Sequence, residues 1–244
     1  MSRPIFLPIG PLRLPLFGVT LALGLLVAAL VFLRYATRKG MPSARALDLV
    51  TWTAAAGLLG ARLMYVLLNL EYYRQAPQLT ILISRGGMSW FGGLVAGLLV
   101  VGLYAMRGGI PFRPLADAMA PAVALGYAVA RLGYDLYGTP TTLPWGVWID
   151  GMKRHPTQIY AALASFLIYL HLRARARSPH YPGELFFRYL LLYGLVRFGL
   201  EFLRGEPALP SIPLSTGQVV SILMLVAGAA GLLRGGHERV PTDR

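Results

Sequence analysis

Apolar positions along this chain gather into seven runs, at about 15–34, 47–69, 88–106, 115–136, 157–173, 183–203 and 216–234. Each approaches the ~20 residues a helix needs to cross a hydrocarbon core of ~30 Å. None shows the short alternating segments of a transmembrane barrel. Helices satisfy their own backbone hydrogen bonds in lipid. The pattern therefore predicts an all-α, polytopic integral membrane protein with seven transmembrane helices. No loop is long enough to hold a soluble domain, so residues 1–244 read as a single integral membrane domain. The first run is long and lacks a small-residue cleavage site, which makes it a span rather than a cleaved signal.

Composition agrees: 56% of residues are hydrophobic and 14% charged, against about 25% charged in soluble domains. The net charge of +13 invites a nucleic-acid reading, and its distribution opposes one. At the span ends and beyond, twelve Lys and Arg fall on the side of the C-terminal tail and of the loops after spans 1, 3 and 5. Seven fall on the side of the N-terminus. Positive charge stays in the cytoplasm, so the N-terminus is expected outside and the C-terminus inside. The chain has no cysteine, which excludes disulfides, thiolate metal sites and a cysteine nucleophile. His155, His171, His180 and His237 lack metal-ligand spacing, so no metal or cofactor is expected. Both lysines, Lys39 and Lys153, lie in loops, where neither can hold retinal in the last span. No internal repeat of the kind built into inverted-repeat transporters is visible.

Four arginines fall inside the spans: Arg62, Arg131, Arg188 and Arg197. A charge at that depth is normally paired, near water or functional. Arg188 lies near the inner end of span 6 and can snorkel. The other three lie one to two turns from the outer ends of spans 2, 4 and 6. Pairing with Asp135 and Glu201 is one reading, but three cations outnumber two carboxylates. The other reading is an anion pocket at outer-leaflet depth, with a phospholipid phosphate as its ligand, because the guanidinium fork matches phosphate oxygens. Tyr193, Arg197, Glu201 and Arg204 are spaced i, i+4, i+8 and i+11, which places them on one helical stripe. His155 stands in "KRHPTQIY", just before a helix start at Pro156 and Thr157 on the same side. So does "RGGMSWFGGLVAG", where Gly86, Gly87, Gly92 and Gly93 leave the backbone bare. Such glycines admit either a packed helix or a close ligand, and both readings stay open.

With these residues in view, the chain resembles the bacterial prolipoprotein diacylglyceryl transferases. The resemblance runs in order through "IGPLRLPLFGV", "GARLMYVLLNLEYY", "RGGMSWFGGLVAG", "ARLGYDLYG", "RHPTQIYAAL", "YGLVRFGLEFLRGEP" and "TGQVVSILMLVAG". It implies seven spans with the N-terminus outside, in a bacterial plasma membrane, with the active site facing the outer leaflet. It implies transfer of diacylglyceryl from phosphatidylglycerol to the lipobox cysteine of a prolipoprotein signal peptide, forming a thioether and releasing glycerol phosphate. By the resemblance, Arg131 matches the signature arginine, Gly138 its closing glycine, and Tyr193, Arg197 and Glu201 the polar residues of span 6. The catalytic set is then Arg131, Arg197 and Tyr193. Arg62, Gly86, Gly87, Gly92, Gly93, Gly138, His155, Glu201 and Arg204 bind substrate. Three positions depart from the family pattern: Phe91 stands for a histidine, Tyr134 for an asparagine and Phe17 for a tyrosine. Two other readings therefore stand beside transfer: a paralogue with a different acceptor or lipid, and a non-catalytic protein that binds anionic phospholipid.

The charge asymmetry has a direct consequence. A reporter active only in the cytoplasm should work when fused after Arg244 and be silent when placed near Glu206. The opposite pattern would reverse the orientation.

Overall fold

The computed structural model describes residues 6–9, 12–81, 87–178 and 181–235. A small antiparallel hairpin, β1 (Phe6–Ile9) and β2 (Leu12–Pro15), precedes α1 (Leu16–Arg38). Then follow α2 (Ser43–Leu68), the short α3 (Leu70–Gln75) with a 3-10 turn at Pro77–Thr80, α4 (Trp90–Gly108) and α5 (Phe112–Arg131). A second hairpin, β3 (Val147–Ile149) and β4 (Met152–Arg154), leads to α6 (Thr157–Arg175), α7 (Glu184–Arg204) and α8 (Thr216–Gly235). Each apolar run thus has its long helix. The fourth run was expected to reach residue 136, but its helix stops at Arg131, where the chain turns through Leu132 and Gly133.

Helices α1, α2, α4 and α8 are long and apolar enough to cross a membrane. Their outward faces carry exposed leucines such as Leu25, Leu59, Leu98 and Leu223, an apolar surface suited to lipid. Helices α5, α6 and α7 are more polar. They carry Asp117, Gln158, Glu184, Arg197 and Glu201, and the protein pairs many of these groups internally.

The described residues form two compact units, one from Met1–Tyr35 with Ala116–Arg244 and one from Ala36–Leu115. In the second, α2 packs on α4 across bare backbone. A Cβ on Gly60 would collide with Ala96 and the Gly92 carbonyl, and one on Gly92 with Gly60 and Met64. Lipid offers helices no hydrophobic drive to associate, so close van der Waals packing of this kind must hold them. The Ser89 amide crosses the seam to the Ala61 carbonyl at 2.8 Å.

In the first unit, Gly24 and Ala28 of α1 meet Gly126 and Ala130 of α5, and Thr20 Oγ1 donates to the Ala130 carbonyl at 3.1 Å. Ala120, Ala124, Ile168, Leu172 and Leu185 form the core between α5, α6 and α7. α8 lies along α7. The entry to α7 is polar and buried. Asp117 is 1% exposed and accepts from the Gly183 amide at 2.7 Å and the Phe186 amide at 3.0 Å. Beside it, Glu184 takes both Arg175 nitrogens, at 2.6 and 2.9 Å, and Arg188 Nε at 2.8 Å. Arg188, expected to snorkel, has a carboxylate partner one turn away.

Asp117→Ala removes the acceptor of two amides at the start of α7. It should lower unfolding stability by on the order of 1–3 kcal/mol per orphaned donor, measured by reversible unfolding in detergent. Asp117→Asn should recover part of the loss. An unchanged stability would mean that the two amides do not depend on this carboxylate.

Candidate active site

The stripe predicted on α7 is present, and its carboxylate is tied to the next helix. Glu201 is 4% exposed. Its Oε2 stands 2.5 Å from Arg197 Nη1, a charge contact rather than an aligned hydrogen bond. Its Oε1 accepts from Ser215 Oγ at 2.8 Å. Ser215 and Gln218 cap the start of α8 reciprocally: the Ser215 amide donates to Gln218 Oε1, and the Gln218 amide to Ser215 Oγ. Arg197 is therefore aimed by a carboxylate that α8 itself holds in place.

Arg131 is held differently. As the last residue of α5, its cation suits the negative end of the helix dipole. Its guanidinium carbon lies 4.7 Å from the Tyr127 ring centroid and 4.5 Å from that of Tyr134. Among the described residues no oxygen accepts from its N–H groups. Arg204, one turn past Glu201, has a buried Nε with no hydrogen-bond partner among the described residues, and its Nη2 is 3.8 Å from Glu206. It feels the positive charges of Arg197 and Arg131 and the negative charges of Glu201 and Glu206. Three guanidinium groups thus share one electrostatic site, in which several donors lack an acceptor among the described residues.

Tyr193 packs against the same cluster. Its ring meets Tyr127 edge-on at 5.5 Å and stacks on Tyr189 at 5.5 Å. Tyr134, the other ring beside Arg131, packs edge-on against Phe17 at 4.4 Å. Two of the positions that depart from the family pattern are therefore in contact with each other.

The loop from 132 to 156 closes over the end of α7. The Gly138 amide donates to the His155 carbonyl at 2.8 Å, and a Cβ on Gly138 would collide with the Leu203 carbonyl. That carbonyl accepts from the Thr139 amide at 2.8 Å and from Thr139 Oγ1 at 3.2 Å. Thr157 Oγ1 donates to the Leu136 carbonyl at 2.9 Å. The half-buried His155 has Nδ1 3.4 Å from the Tyr160 hydroxyl, which accepts from Trp145 Nε1. Gly138 and His155 shape this loop through backbone contacts. Tyr137, on the same loop, is pushed above the usual tyrosine range by burial and by the Asp135 carboxylate, with Gln158 opposing the shift.

The remaining residues of the expected set lie in the Ala36–Leu115 unit. Arg62 is 7% exposed and donates from Nε to the Thr80 carbonyl at 2.8 Å, from Nη1 to Gly87 at 2.8 Å and from Nη2 to Leu79 at 2.5 Å. It also lies over the Tyr73 ring. All three guanidinium nitrogens hold the segment that leads into α4. Gly87 has φ of 84°, and a Cβ there would strike Tyr65 and Arg62. α2 occupies the space beside Gly92 and Gly93, which supports the packing reading of that pair. Gly86 lies outside the described residues. Phe91 is 60% exposed on α4.

The sequence reading did not single out Tyr127, Ser215, Gln218 or Gln158. Two signals were available: Tyr127 and Tyr134 flank Arg131 at i−4 and i+3, and Ser215 with Gln218 fits a capping box.

Comparison with known proteins adds a family-wide view. The family described as prolipoprotein diacylglyceryl transferase matches residues 4–234. The chain is similar to the phosphatidylglycerol–prolipoprotein diacylglyceryl transferase of Geobacter sulfurreducens, 36% identical over 240 residues and 92% of each chain. It is also similar to that of Finegoldia magna, 33% identical over 217 residues and 87% of each chain. The relative of the same name from Clostridioides difficile is 31% identical over 216 residues and 87% of each chain.

The Tyr137 environment makes a pH prediction. Its folded pKa lies above the unfolded value of ~10, so the folded state keeps a proton that the unfolded chain loses. Its contribution to stability is present below pH ~10 and is lost as pH rises through the folded pKa. Unfolding midpoints measured from pH 8 to 11 should fall less steeply for Tyr137→Phe than for the wild type. Identical slopes would rule out this environment.

Proposed function

We propose, from the premise that this chain belongs to the prolipoprotein diacylglyceryl transferase family, that it moves diacylglyceryl from phosphatidylglycerol to a lipobox cysteine of a prolipoprotein. The cysteine sulfur bonds to the terminal glyceryl carbon, the bond from that carbon to phosphate oxygen breaks, and glycerol phosphate leaves with the electron pair. The observation that carries this reading is the gathering of Arg131, Arg197 and Arg204 with donors that lack acceptors among the described residues. Such donors fit a phosphodiester in the ground state and its added charge as it leaves.

Arg131 and Arg197 grip the phosphate, Arg204 assists, and Glu201 orients Arg197. Tyr193, on the face of Arg197 one turn earlier, accepts the thiol proton only as a phenolate, and the alternative acceptor, His155, does so as a neutral imidazole. A thiol of pKa ~8.5 is also ionised by a few per cent unaided, so the cations can stabilise thiolate that has already formed. Gly138 shapes the loop beside these groups. Arg62 acts through the Leu79, Thr80 and Gly87 carbonyls it holds, Gly87 borders the lipid, and Gly92 and Gly93 set the packing of α4.

We assign seven spans to the seven long helices, in one integral domain, with the N-terminus outside and the site facing the outer leaflet of a bacterial plasma membrane. Charge distribution supports the orientation. The start of α1 meets Gly133, and the cap of α8 holds Glu201. Both helix starts therefore lie at the end of the unit where the arginines are.

A lipobox peptide incubated with the protein and phosphatidylglycerol should gain a diacylglyceryl thioether, detected by mass spectrometry, with release of glycerol phosphate. Arg131→Ala and Arg197→Ala should each weaken phosphatidylglycerol binding by roughly 1–3 kcal/mol, while Arg188→Ala leaves it unchanged. Lipid binding without an adduct would move the protein to another acceptor or to a non-catalytic role. Equal losses from all three variants would reflect bundle destabilisation instead of a phosphate site.

A further inference from the structure

Arg131 is the cation of the cluster whose fixed position costs it no hydrogen-bond donor. Arg197 leans on Glu201, and Arg204 has its Nη2 3.8 Å from Glu206. Arg131 rests on the rings of Tyr127 and Tyr134. We propose that these two rings form an aromatic clamp that aims Arg131 at the substrate phosphate, with Tyr134 as a positioning residue. The inference rests on the lipid-phosphate reading above.

The physical reason lies in what each kind of contact consumes. A carboxylate partner occupies N–H donors and cancels charge. A ring face attracts the cation through its quadrupole and accepts no conventional hydrogen bond. A flexible side chain is thereby ordered while its donors stay available to phosphate oxygens. Ordering it before the ligand arrives removes a cost that binding would otherwise carry.

The clamp is itself braced. Phe17 supports Tyr134 edge-on at 4.4 Å. Tyr127 abuts Tyr193 at 5.5 Å, and Tyr193 stacks on Tyr189. A row of rings thus links the start of α1, the end of α5 and the polar stripe of α7. Ordinary core packing does not account for Tyr134. It is only half-buried, on the turn after the helix, and lies outside the apolar core between α5, α6 and α7. Among the described residues Arg131 also has no hydrogen-bond partner to fix it. Phe17 and Tyr134 then make sense as a matched pair: the first supplies an apolar edge that the second requires.

The test is a double-mutant cycle read as phosphatidylglycerol affinity in nanodiscs, with thioether formation measured in parallel. Tyr134→Phe keeps the ring face and should stay within about twofold of the wild type. Tyr134→Leu removes the face and should weaken lipid binding roughly tenfold, the scale of a partly desolvated cation–π contact. Arg131→Gln removes both the cation and the planar fork, which leaves Tyr134 no charge to hold. In that background, Tyr134→Leu should add almost nothing. An equal loss in both backgrounds would show that Tyr134 acts on the fold and not through Arg131, and thermal midpoints of all variants would locate that effect. A loss in Tyr134→Phe as large as in Tyr134→Leu would overturn the clamp in favour of the hydroxyl. If the wild type binds lipid but forms no adduct, the transfer reading falls while the affinity cycle still decides the clamp. If the adduct forms and the cycle shows no coupling, the clamp falls alone.

Discussion

A guanidinium group set among apolar helices must find oxygen atoms or aromatic faces, because leaving it bare at that depth is costly. Much of this protein is arranged around the way each arginine meets that demand. Arg62 takes three backbone carbonyls, those of Leu79, Thr80 and Gly87. Arg175 and Arg188 converge on Glu184, next to the aspartate that receives the first amides of α7. Arg197 takes Glu201, which Ser215 ties to the start of α8. Arg131 and Arg204 depart from this pattern. One is steadied by rings, and the other keeps a buried Nε without a hydrogen-bond partner. A ligand is best sought where donors remain after the fold has used the rest.

Polar contacts of this kind need backbones that come close, and small residues allow it. Gly24, Ala28, Gly126 and Ala130 draw α1 to α5, and Gly57, Gly60, Gly92 and Gly93 draw α2 to α4. Gly138 does the same for a loop, setting it against the carbonyl end of α7, where an ordinary side chain would push it away. The loop then carries Tyr137 and His155 on a backbone fixed by hydrogen bonds from Gly138 and Thr139.

The helices were legible because a span must be apolar over some twenty residues, a strong signal that loops cannot imitate. The stripe on α7 was legible for a similar reason, since charges on an apolar helix stand out against their background. The partners of Arg62 were not, because backbone carbonyls leave no mark in a sequence. The notch of Gly92 and Gly93 could be read two ways, and only the position of α2 favours packing. The β3–β4 hairpin did leave a trace: the pair Asp150-Gly151, both with positive φ, joins its two short strands. In a chain dominated by long apolar runs, three-residue strands fall below the scale at which periodicity can be seen. Tyr127 was missed because a tyrosine four residues before an arginine is common on any helix.

The division into two units also bears on how the chain matures. Ala36–Leu115 is one uninterrupted stretch, so α2 and α4 are both available once Leu115 has been made. The other unit is split: α1 is synthesised first, yet its partner Gly126 lies some ninety residues later. At ~5–20 residues per second, α1 waits on the order of ten seconds before the surface it fits exists. During that interval its bare Gly24 face has no protein partner, and lipid or the insertion machinery must cover it. Translation speed between α1 and α5 is therefore a variable to which this protein is exposed, and a helix order that paired α1 with α2 would not be.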